Sequence, residues 1–150
     1  MDRHTYANIM LFAEGSDEGM RAARDAIHLA SDEGAALVIA AVVDTILLRQ
    51  LLTTRIFIPE EMQEYEKDLE ASSRKQLNYI AQLADEAKVK NTTLLLRGPC
   101  HAVLVRAQKD QNADLFVMGA YHSRSARRDL MASEKQLIVD DIACPVLLVR

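Results

Sequence analysis

An open parallel α/β sheet with helices on both faces, Rossmann-like in plan, is the architecture this sequence predicts, and three observations carry it. Short apolar runs without polar alternation recur along the chain, as in Ala35 to Val43 (AALVIAAVV) and Leu115 to Met118 (LFVM), and strands buried on both faces read this way. Between them lie longer stretches whose apolar residues repeat at helical spacing. The run at Leu115 stops at Gly119 and is followed by a polar segment and then by Ser133, a residue type that caps helices. That layout is the one in which an open α/β sheet binds ligands at its carboxyl edge.

A chain of 150 residues fits a single domain spanning 1–150, long enough to bury roughly two thirds of its unfolded surface. The composition, 49% hydrophobic and 27% charged with three prolines and five glycines, leaves little room for a disordered linker. A net charge of -4 argues against a protein built to hold nucleic acid or an acidic membrane. No segment approaches the roughly 18 apolar residues needed to cross a bilayer, and the first residues lack the pattern of a signal peptide. Two cysteines, Cys100 and Cys144, are too few for a disulfide scaffold. The chain reads as cytoplasmic, with reduced thiols.

In chain order, Tyr6 to Phe12 is the first strand, ending at Ala13-Glu14-Gly15-Ser16, where Gly15 permits a turn and Ser16 can cap a helix. Met20, Ala23, Ala26, Ile27 and Ala30 form that helix's inner face, and Glu33-Gly34 closes it. Ala35 to Val43 is the second strand. The stretch from Asp44 to Ile58 is too apolar for a solvated loop, so it is expected to pack against something. Pro59, Glu60 and Glu61 suit the start of the longest helix, whose stripe runs from Met62 to about Ala87. Thr92 to Leu96 is the third strand, Gly98-Pro99 turns the chain into a helix over Ala102 to Gln111, and the fourth strand follows. A last helix, roughly Ser133 to Ile142, delivers Cys144-Pro145 and the fifth strand, Val146 to Val149. Such alternation calls for right-handed crossovers in a parallel sheet.

Glu14-Gly15-Ser16 after the first strand, Arg97-Gly98-Pro99 after the third, Ala113-Asp114-Leu115 leading to Val117-Met118-Gly119, and Cys144-Pro145-Val146-Leu147-Leu148-Val149 at the end together resemble the universal stress protein family across essentially the whole chain. The resemblance, with the alternation of elements, implies a sheet ordered 3-2-1-4-5. Members of that family that bind ATP carry G-x2-G-x9-G-[ST] after the fourth strand, where glycines let backbone N–H groups approach phosphates at a helix N-terminus. Here the frame keeps its length but not its content: Gly119, His122, Ala132 and Ser133 occupy the four positions. The resemblance further puts Glu14 near an adenine, and Val42 where a second-strand backbone would pair with the base, with Met118 beside the motif. Leu130 to Ile138 (LMASEKQLI) looks closer to the branch that lacks nucleotide binding.

A Cβ at His122 and Ala132 stands where backbone should meet phosphate, and if either position needs positive φ the strain is on the order of 1 kcal/mol or more. Arg124, Arg127 and Arg128 offer guanidinium groups that can grip phosphate instead, although a solvated loop is the simpler reading. His122 lacks a nucleophile or carboxylate partner at a recognisable spacing. Cys100-His101 lacks the further ligands of a metal site, and Glu60, Glu61, Glu64, Glu66 and Asp68 complement a helix dipole and are no acid–base pair. No catalytic constellation stands out. The expectation is therefore a cytoplasmic, homodimeric stress-response binding protein that is not an enzyme, with no metal, no required cofactor and weak or absent ATP binding. The resemblance places its dimer contact on the apolar strand Val146 to Val149. The alternative is a sensor of ATP or AMP, or a slow ATPase, using Glu14, Val42, Gly119, Ser133 and the arginines. An α-hydrolase-like enzyme of the wider adenine-nucleotide group would need a phosphate loop after the first strand, where only Gly15 is available.

Overall fold

Side chains along β1 (Asn8–Phe12) point alternately into two separate cores. Ile9 and Leu11 join one, Met10 and Phe12 the other, the period-2 geometry of a strand covered on both sides. The same division runs through β2 (Ala36–Val43) and β4 (Leu115–Gly119): Leu37, Ile39, Leu115 and Val117 share the first core, Val38, Ala40, Phe116 and Met118 the second. The computed structural model describes residues 5–46, 49, 59–122 and 129–150. With β3 (Asn91–Arg97) and β5 (Val146–Val149), the strands form one five-stranded sheet, parallel throughout and ordered β3-β2-β1-β4-β5, as expected.

The first core is covered by α1 (Asp17–Glu33), through Ala22, Ala23, Ala26 and Ala30, and by α2 (Pro59–Glu86), through Leu77, Ile80 and Ala84. The alanines let α1 lie close on the strands. The second core takes Leu104 and Ala107 from α3 (Cys100–Asp110) and Ile138 from α4 (Leu130–Asp141). Gly34 ends α1 in the left-handed conformation at φ 66, the preferred role of glycine after a helix. Gly98 takes φ +127 in the turn from β3 to α3.

The sheet's lower edge is tied by a contact that spans most of the sequence. The Asp114 carboxylate accepts the backbone N–H of Ala7 at 2.8 Å and of Asn8 at 3.0 Å. It thereby holds the start of β1 against the start of β4. Among the described residues no helix is long and apolar enough to cross a membrane. The apolar stretch expected to pack against something lies largely outside the described residues, at 47, 48 and 50–58.

Candidate functional site

The strand order reverses direction between β1 and β4: the chain leaves β1 for α1 on the first face and leaves β4 for α4 on the second. Open α/β sheets carry their ligand crevice there, outside the carboxyl ends of the strands. Glu14 stands at this point. Its Oε1 accepts the Ser16 hydroxyl at 2.7 Å and meets Lys135 Nζ at 2.5 Å, while its backbone carbonyl accepts the Gln76 amide reaching over from α2. Lys135 also donates to the Gly119 carbonyl at 3.0 Å. Both charged side chains are almost wholly buried, Glu14 at 11% exposure and Lys135 at 4%.

Two glycines make room for this arrangement. A Cβ on Gly119 would stand 2.7 Å from Gly19 N, 2.8 Å from the Glu18 carbonyl carbon and 2.8 Å from Glu14 Oε1. One on Gly19 would meet Glu14 Cγ at 2.5 Å and Glu14 O at 2.6 Å. Gly119 therefore serves a close approach of β4 to the first turn of α1. Gly15, by contrast, has nothing within 4 Å of a Cβ position and shows no positive φ. Ser16 caps α1 as expected, its Oγ accepting Gly19 N–H at 3.0 Å.

The amino end of α4 departs from the sequence expectation. The helix starts at Leu130, and its cap is Asp129 rather than Ser133, which lies within the first turn. The Asp129 carboxylate accepts the N–H groups of Met131 at 2.9 Å and Ala132 at 3.3 Å. Aspartate is among the preferred N-cap residues and its charge suits the positive end of the helix, so it captures the start upstream of the serine. A cleft of about 680 Å³ lies above this point, lined in part by Glu14, Arg21, Tyr121, His122, Asp129 and Arg150. Neither His122 nor Ala132 has a positive φ, so their Cβ atoms bring no backbone strain. Ala132 is buried on α4 and lines the cleft with His122. Met118 is fully buried in the second core and Val42 packs against that core. Neither lines the cleft, and neither do Gly119 or Ser133. Arg124, with Arg127 and Arg128, lies outside the described residues.

A model of the universal stress protein family matches residues 5–150. The chain belongs to the universal stress protein family. It is 28% identical over 148 residues to the universal stress protein MJ0531 of Methanocaldococcus jannaschii, covering 97% of this chain and 82% of that protein. In three dimensions it is similar to the universal stress protein UspA of Lactobacillus plantarum, with a TM-score of 0.76 at 23% identity over 97% of this chain and 98% of the other. A universal stress protein solved in complex with cAMP superposes with a TM-score of 0.67 at 21% identity, covering 97% of each chain.

Several residues that shape this universal stress protein's carboxyl edge escaped the sequence reading. Lys135 sits three residues from Ala132 and three from Ile138, all buried, so a cation on the helix's apolar stripe was the available signal. Asp129 precedes Leu130-Met131 as N-caps do, but reads from sequence as one more charge in a polar segment. Gly19 and Asp44 carry no local signal. Asp44 accepts the Cys100 N–H at 2.8 Å, and Glu134 accepts the His101 N–H at 3.1 Å while meeting His101 Nδ1 at 2.9 Å. These two carboxylates cap α3, whose own N-cap position is Pro99 and offers no side-chain acceptor. Burial pushes the Cys100 thiol up to about 12, with the Glu134 and Asp44 charges adding to the rise, so it is no thiolate nucleophile. Among the described residues no group of His, Cys, Asp and Glu is placed to hold a metal.

Proposed function

We propose that the chain is a homodimeric, cytoplasmic binding and regulatory protein of the stress response, without catalysis of its own, whose cleft takes ATP weakly or not at all. The observation that supports the weak ATP binding best is the Asp129 carboxylate on the Met131 and Ala132 N–H groups. Those groups are where a helix N-terminus receives phosphate, and a tethered carboxylate competes for them without loss of translational freedom. Displacing such a cap costs about 0.5–2 kcal/mol, and the arriving phosphate must also sit beside a displaced negative charge. A micromolar site has about 8 kcal/mol of binding free energy and a millimolar one about 4 kcal/mol, so the cap supplies part of the weakening that this reading expects.

A second reading, an adenine-nucleotide sensor or slow ATPase, draws on the similar fold that holds cAMP and on Arg21 and Arg150 at the cleft. Calorimetric titration of the unaltered chain with ATP decides between them. The first reading expects no saturable binding tighter than about 1 mM, together with strengthened binding in Asp129→Ser. Micromolar affinity in the unaltered chain, lost when Arg124, Arg127 and Arg128 become Ala, would establish the second.

A further inference from the structure

The floor of the crevice at the strand-order reversal, beside Gly119, is filled from within. Glu14 leaves the end of β1 and turns inward, so that its Oε1 lies 2.8 Å from where a Gly119 Cβ would be. Lys135 comes from the opposite face and ends 3.0 Å from the Gly119 carbonyl, the last residue of β4. The polar groups that face this space are used on one another. The Glu14 carboxylate takes Ser16 and Lys135, its carbonyl takes Gln76, and the Gly119 carbonyl takes Lys135. A base or sugar entering the cleft above and reaching this floor finds its donors and acceptors already claimed.

Packing alone does not call for this arrangement. Lys135 lies on the buried face of α4 between Ala132 and Ile138, where an uncharged side chain such as methionine would fill the same volume without being desolvated as an ion. Gly19 and Gly119 leave the space in which Glu14 folds inward. The Glu14 carboxylate, from the connection after β1, and Lys135, from α4, meet at one buried point beside Gly119. We propose that the Glu14–Lys135 ion pair is the crevice's own occupant and is what excludes adenine nucleotides from the space between β1 and β4. This rests on the reading of the chain as a weak nucleotide binder, and assigns the exclusion to a second cause beside the Asp129 cap.

The test compares two double variants of the full chain by calorimetry with AMP, whose single phosphate makes less use of the amino end of α4 than ATP does. Glu14→Ala with Lys135→Ala removes both bulk and charge. Glu14→Gln with Lys135→Met keeps the bulk and removes the charge. The emptied variant should bind AMP at least about tenfold more tightly than the unaltered chain, with the bulk-preserving variant indistinguishable from the unaltered one. No gain in an emptied variant that circular dichroism shows folded would overturn the proposal. So would an equal gain in both variants, since charge rather than occupancy would then be responsible. If the emptied variant does not fold, Glu14→Ser with Lys135→Ser, which shortens both side chains and leaves no charge unpaired, carries the same two outcomes. The reading beneath is judged separately: micromolar ATP affinity in the unaltered chain sinks it, whereas the gain on emptying judges the pair alone.

Discussion

Lys135 and Glu14 are tolerable inside the protein only as partners. Breaking a buried pair by removing one member costs about 3–5 kcal/mol, whereas replacing both by uncharged groups of similar size is often neutral or favourable. Lys135→Met should therefore lower the urea unfolding free energy by about 3–5 kcal/mol, and adding Glu14→Gln should recover most of it. A single variant as stable as the unaltered chain would mean that water reaches the carboxylate. At the sheet's lower edge Asp114 receives two N–H groups, so Asp114→Ala should cost about 1–3 kcal/mol in the same assay. Cys100 adds a pH dependence. Folded, its thiol keeps its proton up to about 12, against an ordinary value of 9.0. Above pH 9 the unfolded chain thus binds fewer protons, and this contribution is present below pH 9 and lost as pH rises towards 12. The thermal midpoint of the unaltered chain should fall more steeply across that window than that of Cys100→Ala.

The elements explain which glycines matter. Gly119→Ala and Gly19→Ala each press a methyl group against backbone at under 3 Å and should destabilise by about 1–3 kcal/mol, the usual range for overpacking. Gly15→Ala meets open space and should change denaturant midpoints little. The sequence reading anticipated the reverse emphasis, assigning Gly15 to a turn and Gly119 to phosphate. A glycine's reason for being there is a neighbour in space, and Gly19 and Gly119 are a hundred residues apart. The strands and helices were legible because each one's pattern is local: uninterrupted apolar runs at β2 and β4, and the stripe through α1. The start of α4 was read late, at Ser133, because Asp129 and Ser133 both suit a cap and only the surrounding packing chooses between them. The cleft was legible as a location, at the carboxyl edge after β4, through Glu14, His122 and Ala132. Its contents were not, since nothing local tells that a lysine on α4 will meet a glutamate 121 positions earlier.

At the scale of the molecule, β5 is an edge strand, and it leaves Leu147 at 38% and Leu148 at 39% exposure. Apolar edges invite pairing with a second chain, and a symmetric dimer is the commonest closed outcome. Leu148→Lys should give a monomer in light scattering, and an unchanged dimer mass would place the contact elsewhere. The strand order has a further consequence in time. β1 is the first in chain order of the five described strands, yet it lies at the centre of the sheet, and the contact that Asp114 makes with Ala7 bridges 107 positions. At about 5–20 residues per second on the ribosome, one side of β1 waits about 5–20 s for its neighbour. Throughout that interval the edge of β1 that takes β4 in the folded sheet has no partner strand. A chain stopped at Gln111 should accordingly be captured by chaperones or aggregate in a translation extract more than the whole chain does, because the strand at the middle of the sheet then keeps a bare edge.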